Sequence, residues 1–194
     1  IATSVRDQLG GRVDEVVACR TVREELDVVA KSAAEGTGEV MVLDGGIVAH
    51  NEAIARLLLD PRVGTGLLVG ERGNGPGVRI ADDIVVSAES RVHTVTEPNS
   101  DGLGVLRVGL TDTAPLAEVA RGVSVIGRVP DTADGLVELL TVGLVRSGVR
   151  MAAIPVRPYI LHRPRTELEV GAALVDLCEI DEERLRLASA ARPG

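Results

Sequence analysis

The sequence predicts a three-layer α/β fold of Rossmann-like design, with helices on both faces of a mostly parallel sheet. Segments of strand length alternate with segments of helical periodicity through the first half of the chain and again near its end, the pattern of strands joined by helical crossovers. The apolar residues are almost all aliphatic: 45% of the chain is hydrophobic, there is no Trp or Phe, and Tyr159 is the only aromatic. Such Val/Leu/Ile-rich strands suit a sheet buried on both faces. At 194 residues the chain is long enough for one sizeable core and short for two. One domain is expected over residues 1–180, followed by a C-terminal helix and linker over residues 181–194.

Taken in order, Ile1 to Leu9 reads as a helix closed by Gly10-Gly11, and Glu15 to Ala18 as a short strand. Thr21 and Glu24 form a capping-box pattern, and Val22, Leu26, Val29, Ala30 and Ala33 make the apolar stripe of a helix running to about Ala34. Glu39 to Leu43 is a strand, with Val40 to Leu43 its buried part. Asn51 to Leu59 is a helix stopped by Asp60-Pro61, and Thr65 to Val69 the next strand. Short β segments follow at Val78 to Ala81, Ile84 to Ser87, Arg91 to Val95 and Leu103 to Val108. Helices are expected at Asp112 to Arg121 and at Asp134 to Ser147, the latter apolar nearly all round and therefore buried. Met151 to Pro155 is a strand and Thr166 to Leu177 a helix. Asp181 then caps a final helix with Glu182 and Glu183 in its first turn and a Glu182/Arg186 i,i+4 pair.

Composition excludes several functions. A net charge of −8 leaves no basic surplus to displace counterions, so nucleic acid is not an expected partner. No apolar run reaches the roughly 18–20 residues of a membrane span; the longest, Leu136 to Val145, contains Glu138. Arg6 and Asp7 interrupt any signal-peptide pattern. Cys19 and Cys178 lack metal or redox spacing and read as small buried hydrophobes of a cytoplasmic protein. No G-x-S-x-G, Walker or H-E-x-x-H pattern occurs.

Ligands of open α/β sheets bind beyond the carboxyl ends of the strands, which singles out Asp44-Gly45-Gly46-Ile47-Val48-Ala49-His50. Asp44 can hold a divalent cation bridging nucleotide phosphates, with Gly45 and Gly46 admitting a ligand to the backbone; it can equally make a turn or cap the next helix. His50 either lines the same pocket or serves the helix start. Glu97, Asn99 and Asp101, within Glu97 to Gly102, can hold a sugar or alcohol, or simply form a turn. The glycine-rich run Gly70 to Gly77 leads into a strand and reads as a mobile hairpin or loop, not a phosphate loop. Arg157, His162, Arg163 and Arg165 beside Tyr159 form a basic cluster that suits a phosphate, a neighbouring domain or plain solvent.

Together these segments resemble the sugar-phosphate nucleotidyltransferase fold, the likeness residing mostly in VMVLDGGIVAHNEAIARLLLDPRVGTGLLVG from Val40 to Gly70, with Asp44 matching the family's metal-binding Asp. TEPNSDGLGVLRV, within Val92 to Val108, is similar to the family's acidic substrate-side turn, glycine and strand. More specifically, the chain resembles the nucleotidyltransferase-like domain that precedes a membrane-embedded CDP-alcohol phosphatidyltransferase in certain actinobacterial proteins, related to inositol-phosphate cytidylyltransferase fusions. The tail EIDEERLRLASAARPG is similar to the segment that leads into the membrane part. The resemblance implies Mg²⁺ on Asp44, CTP or a CDP-alcohol as ligand, and a location in the cytoplasm or at the inner face of the membrane.

The chain departs from that family where catalysis would need it most. The glycine-rich loop with Arg and Lys that cradles a triphosphate is missing along with the first strand, because Ile1 already opens in a helical pattern. The sequence therefore reads as a piece of something longer. The sole lysine, Lys31, sits on the polar side of a helix. A second acidic ligand is not identifiable beside Asp44; Asp101 or Asp176 would serve only if the fold brought one near. Three functions follow: a degenerate domain that accompanies or regulates a CDP-alcohol phosphatidyltransferase in phospholipid or inositol-phosphate metabolism; an active Mg²⁺-dependent cytidylyltransferase making a CDP-alcohol; or a non-catalytic Rossmann-like binding or oligomerisation module.

Overall fold

The computed structural model describes residues 17–60, 63–90, 93–125, 135–157, 160–164 and 166–190, with side chains omitted at 124–125 and 185–190. The expected helix at Ile1 to Leu9 lies outside these residues, as do Tyr159, Arg165 and the side chain of Arg186. Of the expected strand Glu15 to Ala18, the described Val17 and Ala18 are irregular, and Val17 is exposed.

Helix α1, Val22–Glu35, begins with the Thr21 half of the capping pattern, Thr21 Oγ1 accepting the Glu24 N–H at 3.2 Å, while the Glu24 carboxylate reaches one residue further back, to the Arg20 N–H at 2.6 Å. Strands β1 (Val40–Leu43) and β2 (Val48–Ala49) precede α2 (Asn51–Leu59). Then come β3 (Thr65–Gly70), β4 (Gly77–Ala81), β5 (Ile84–Ala88) and β6 (Ser100–Val108). A 3₁₀ turn at Leu110–Asp112 leads into α3 (Thr113–Val125), α4 (Leu136–Arg146), β7 (Met151–Pro155), β8 (Leu161–His162) and α5 (Glu167–Ala190).

The main sheet has the order β1-β6-β3-β7-β5-β4, with β4 also meeting the start of β6; β2 and β8 form a small separate pair. The sheet is mixed, which corrects the mostly parallel expectation. Only β3 and β7 pair in parallel among the described strands. Yet β1 and β3 both run antiparallel to β6, so β1, β3 and β7 point the same way. The long β6 inserted between them turns parallel neighbours into antiparallel pairs.

Strand alternation divides the core between two faces. On one, Val42, Leu67, Val69, Leu106, Val108, Met151 and Ala153 pack under α1, α3 and α4. On the other, Leu68, Val105, Ala152 and Ile154 pack against Ala53 and Leu57 of α2, against Val156, Ile160 and Leu161, and against Ile180 of α5. This is the three-layer arrangement read from the sequence, and α4 is as buried as its all-round apolarity implied.

Several local expectations change. Strand β1 lies at the sheet edge, so it is only partly covered: Val42 is buried but Leu43 is exposed. Thr94 and Val95 belong to no strand; His93 makes only an isolated bridge with Ser90. Ser100 to Gly102, expected in a turn, already lie in β6. Asp181 stands inside a single 24-residue helix instead of capping a new one, because Leu177 to Ile180 contains no breaker and the Asp181 carboxylate is taken by His50. Cys178 is exposed and Cys19 intermediate, so neither is a buried hydrophobe; both thiols are free.

Candidate functional site

The common direction of β1, β3 and β7 brings their carboxyl ends together, and Asp44 leaves β1 there. Opposite it, β6 carries a bulge: Leu67 pairs with Leu106 and Val69 with Gly102, so Leu103 to Val105 face the single Leu68. Bulges of this kind re-aim the backbone. Here the Gly104 carbonyl accepts the Asp44 N–H at 2.9 Å. Gly104 has φ +72°, and a Cβ on it would lie 2.5 Å from Asp44 Oδ2. A glycine is therefore required for both conformation and space.

The Asp44 carboxylate is mostly covered and is held by Arg163, whose Nη2 donates to Oδ2 at 2.6 Å. Arg163 Nη1 donates to Glu138 Oε1 at 3.0 Å and to the Gly102 carbonyl at 3.2 Å. Glu138 projects from the first turn of α4 and is only 4% exposed; its Oε2 is fully buried without a hydrogen-bond partner among the described residues. One guanidinium thus spans a half-buried carboxylate and a fully buried one from different elements. Sequence reading placed Arg163 in a basic surface cluster and read Glu138 as an interruption of an apolar run. A lone acid on a helix apolar all round was the available signal for Glu138.

The remaining expected residues fall elsewhere around this end. Gly45 and Gly46 form an exposed turn with open space beside both. His50 caps α2: its Nδ1 accepts the Glu52 N–H at 3.1 Å, which leaves the proton on Nε2 to be donated to Asp181 Oδ1 at 2.8 Å. Both ring nitrogens are engaged, and the residue ties α2 to α5. Glu97 is exposed at a bend with φ +52°. Asn99 acts as an extra strand residue, its side chain both accepting from the Ile80 N–H and donating to the Ile80 carbonyl at 2.9 Å.

Asp101 is 6% exposed and organises the glycine-rich segment. Its Oδ2 accepts the N–H groups of Gly73 at 2.9 Å and Gly75 at 2.8 Å, and Arg72 donates to its Oδ1. The segment after β3 is therefore anchored, which corrects its reading as a mobile loop. Its backbone donors converge on an anion in the manner of a nest, but the anion is the protein's own. Of the basic cluster, His162 lies 4.0 Å from Asp176 and Arg157 is exposed. A cavity of about 1110 Å³, whose lining does not include Asp44, lies between Arg56, Asp60, Thr65, Asp82 and Arg150.

As arranged, these residues do not fit Mg²⁺. The ion demands near-octahedral oxygen ligands at about 2.0–2.1 Å, whereas Asp44 Oδ2 already holds a guanidinium nitrogen at 2.6 Å. Among the described residues no group of three His, Cys, Asp or Glu side chains is placed to bind a metal. Nor is any described helix long and apolar enough to cross a membrane.

No protein-family model and no curated protein sequence matches the chain. Solved structures do. The inositol-1-phosphate CTP transferase from T. maritima superposes with a TM-score of 0.65 at 10% identity, over 90% of this chain and 71% of its own. A nucleoside-diphosphate-sugar pyrophosphorylase from Vibrio cholerae RC9 gives 0.57 at 13% identity, over 89% and 75%. A chain described as a glucose-1-phosphate thymidylyltransferase from Bacillus anthracis, crystallised with sucrose, gives 0.58 at 10% identity, over 88% and 70%. At such identities the likeness is one of fold: the chain has a nucleotidyltransferase-like α/β architecture.

Proposed function

We propose that this chain is a degenerate nucleotidyltransferase-like domain that binds no triphosphate productively and instead accompanies or regulates a CDP-alcohol phosphatidyltransferase in phospholipid or inositol-phosphate metabolism, on the cytoplasmic side of the membrane that holds its partner. The observation that carries the loss of turnover is Arg163 lodged between Asp44 and Glu138. Nucleotidyl transfer works by positioning and by neutralising the charge that develops on phosphate oxygens, so the cations at the carboxyl end must face the ligand. Arg163 is instead engaged by the half-buried Asp44 and the buried Glu138, and Arg72 by the buried Asp101. The activities named for the similar structures, CTP transfer above all, support a nucleotide-handling ancestry. The phosphatidyltransferase partnership rests on the sequence resemblance.

The reading is tested with purified domain, CTP, Mg²⁺ and an alcohol phosphate such as inositol 1-phosphate. No CDP-alcohol and no calorimetric signal for CTP are expected, and deleting the domain from the parent protein is expected to lower phosphatidyltransferase activity. Turnover, or tight CTP binding, would overturn the proposal in favour of an active cytidylyltransferase. An unaffected parent enzyme would sink the regulatory part.

A further inference from the structure

We infer that the groove beside β7 is a docking site for a basic amphipathic helix of a partner protein. The second face of the sheet is covered only in part. Val85 belongs to the core on the first face, so Ile84 and Val86, its neighbours along β5, point to the second. There Ile84 is half-buried and Val86 is 43% exposed. Ile84 pairs with Ala152, which packs on that same second face together with Ile154. The cavity of about 1110 Å³ lies against this strip: Ala55 and Leu59 of α2 line it, as do Asp82, Asp83 and Ile84 of the β4–β5 hairpin. Leu59 is 77% exposed. A three-layer fold covers both faces of its sheet with helices, and among the described residues this strip lacks that cover.

Dimensions and chemistry suit a helix. The five residues of β7 extend about 16 Å, the length of about three helical turns. In volume the cavity stands at the upper limit of small-molecule sites, about 1,000 Å³. An added strand has no ladder to join, because the Ala153 N–H already donates to the Asp83 carbonyl at 2.8 Å and the Pro155 carbonyl accepts from Arg56 at 3.5 Å; Pro155 has no N–H to offer. A helix satisfies its own backbone and presents an apolar stripe. Charge sets the flanks of that stripe. Asp60, Asp82, Asp83 and Asp112 line the cavity against Arg56 and Arg150, and Arg56 is paired with Glu52 at 3.0 Å. The surplus is negative, so the partner helix carries Lys or Arg beside its apolar residues. The same surplus, on a chain of net charge −8, opposes a second copy as occupant.

The test uses the whole chain and, as probe, a fluorescent peptide of about fifteen residues with Leu and Lys at helical spacing; its counterpart has Glu for every Lys. The Lys peptide is expected to bind at least about tenfold tighter than the Glu peptide and to shift the methyl NMR signals of Leu59, Ile84 and Val86. Leu59→Gln with Val86→Gln, both at exposed positions, should weaken it about tenfold or more. Asp82→Asn with Asp83→Asn should weaken it at least about threefold, since asparagine tolerates the positive φ at both positions. Leu168→Gln, on α5 and 85% exposed, should change nothing.

No binding of the Lys peptide, equal binding of the two peptides, methyl shifts confined to α5, or unchanged affinity in the groove variants would each overturn the inference. So would a wild-type dimer, seen by sedimentation without peptide, that Leu59→Gln with Val86→Gln abolishes, because the occupant is then a second copy of this chain.

Discussion

Replacing Asp101 tests whether the carboxyl end of the sheet is organised from within. The Asp101 carboxylate accepts from Gly73, Gly75 and Arg72 while only 6% exposed. Hydrogen bonds to a charged acceptor contribute about 1.5–3 kcal/mol each, so the low end of that range gives a gross loss of about 4.5 kcal/mol for Asp101→Ala. Two terms offset it. Gly73 and Arg72 are exposed, so water replaces their lost acceptor, and the released loop regains backbone entropy at about 1 kcal/mol per freed residue. A net cost of about 2–3 kcal/mol remains, a fall of roughly 5–10 °C in Tm for a chain of this size. Asp101→Asn retains one carbonyl acceptor and should lose about half as much. Urea unfolding with unchanged slope measures the energy, and hydrogen exchange of residues 71–77 locates it. Asp101→Ala within about 0.5 kcal/mol of wild type, with loop amides exchanging at wild-type rates, would refute the internal-anchor argument.

Gly104→Ala forces a Cβ to within 2.5 Å of Asp44 Oδ2 at φ +72° and should cost about 2–4 kcal/mol from left-handed strain plus overpacking; a thermal melt indistinguishable from wild type would contradict it. The β4–β5 hairpin turns on Asp82 and Asp83, with φ of 50° and 60°, the geometry of a type I′ turn in which the second position favours glycine. Asp83→Gly is expected to stabilise by about 0.5 kcal/mol, read as a Tm rise of one or two degrees, roughly; a fall would count against the turn assignment. The Arg184 and Arg56 guanidinium groups hold the Glu52 carboxyl below its ordinary value, and Arg107 does the same for Glu39. Their stabilisation is therefore complete above the ordinary carboxylate range and is lost as the pH falls through the lowered folded values. Since Arg184 joins Glu52 to α5, amides of that helix should exchange faster at pH 4 than at pH 6, relative to the core and after correction for intrinsic rates. Equal protection of α5 at both values would refute its docking by this pair.

Most of the secondary structure was legible because it is encoded locally. The Thr21/Glu24 cap, the α1 stripe, the apolar strands β3 and β7, and the Asp60 stop after α2 depend on residues a few positions apart, where periodicity and backbone chemistry act directly. The helix through Asp181 was misread for the same reason. An acid followed by two glutamates suits a helix start, yet a contact with His50, 131 residues away, gives that acid a partner in mid-helix. The edge position of β1 and the mixed sheet were equally out of reach, because an apolar run does not say on which side, or in which direction, its neighbour lies.

Asp44 shows where the boundary falls. Its place after a strand and before two glycines is written in the sequence, and so is the α/β class that makes the carboxyl end of that strand the place to look. What Asp44 meets there is not. Arg163 lies 119 residues further on and Glu138 another 25 residues from Arg163; they converge only because β6 inserts between β1 and β3, and because α4 and the segment after β8 close over that end. Local sequence sets the helices, strands and turns through short-range sterics and hydrogen bonding. Charge partners in a buried site are chosen by chain topology, since a Coulomb interaction depends on distance in space and on the water excluded around it.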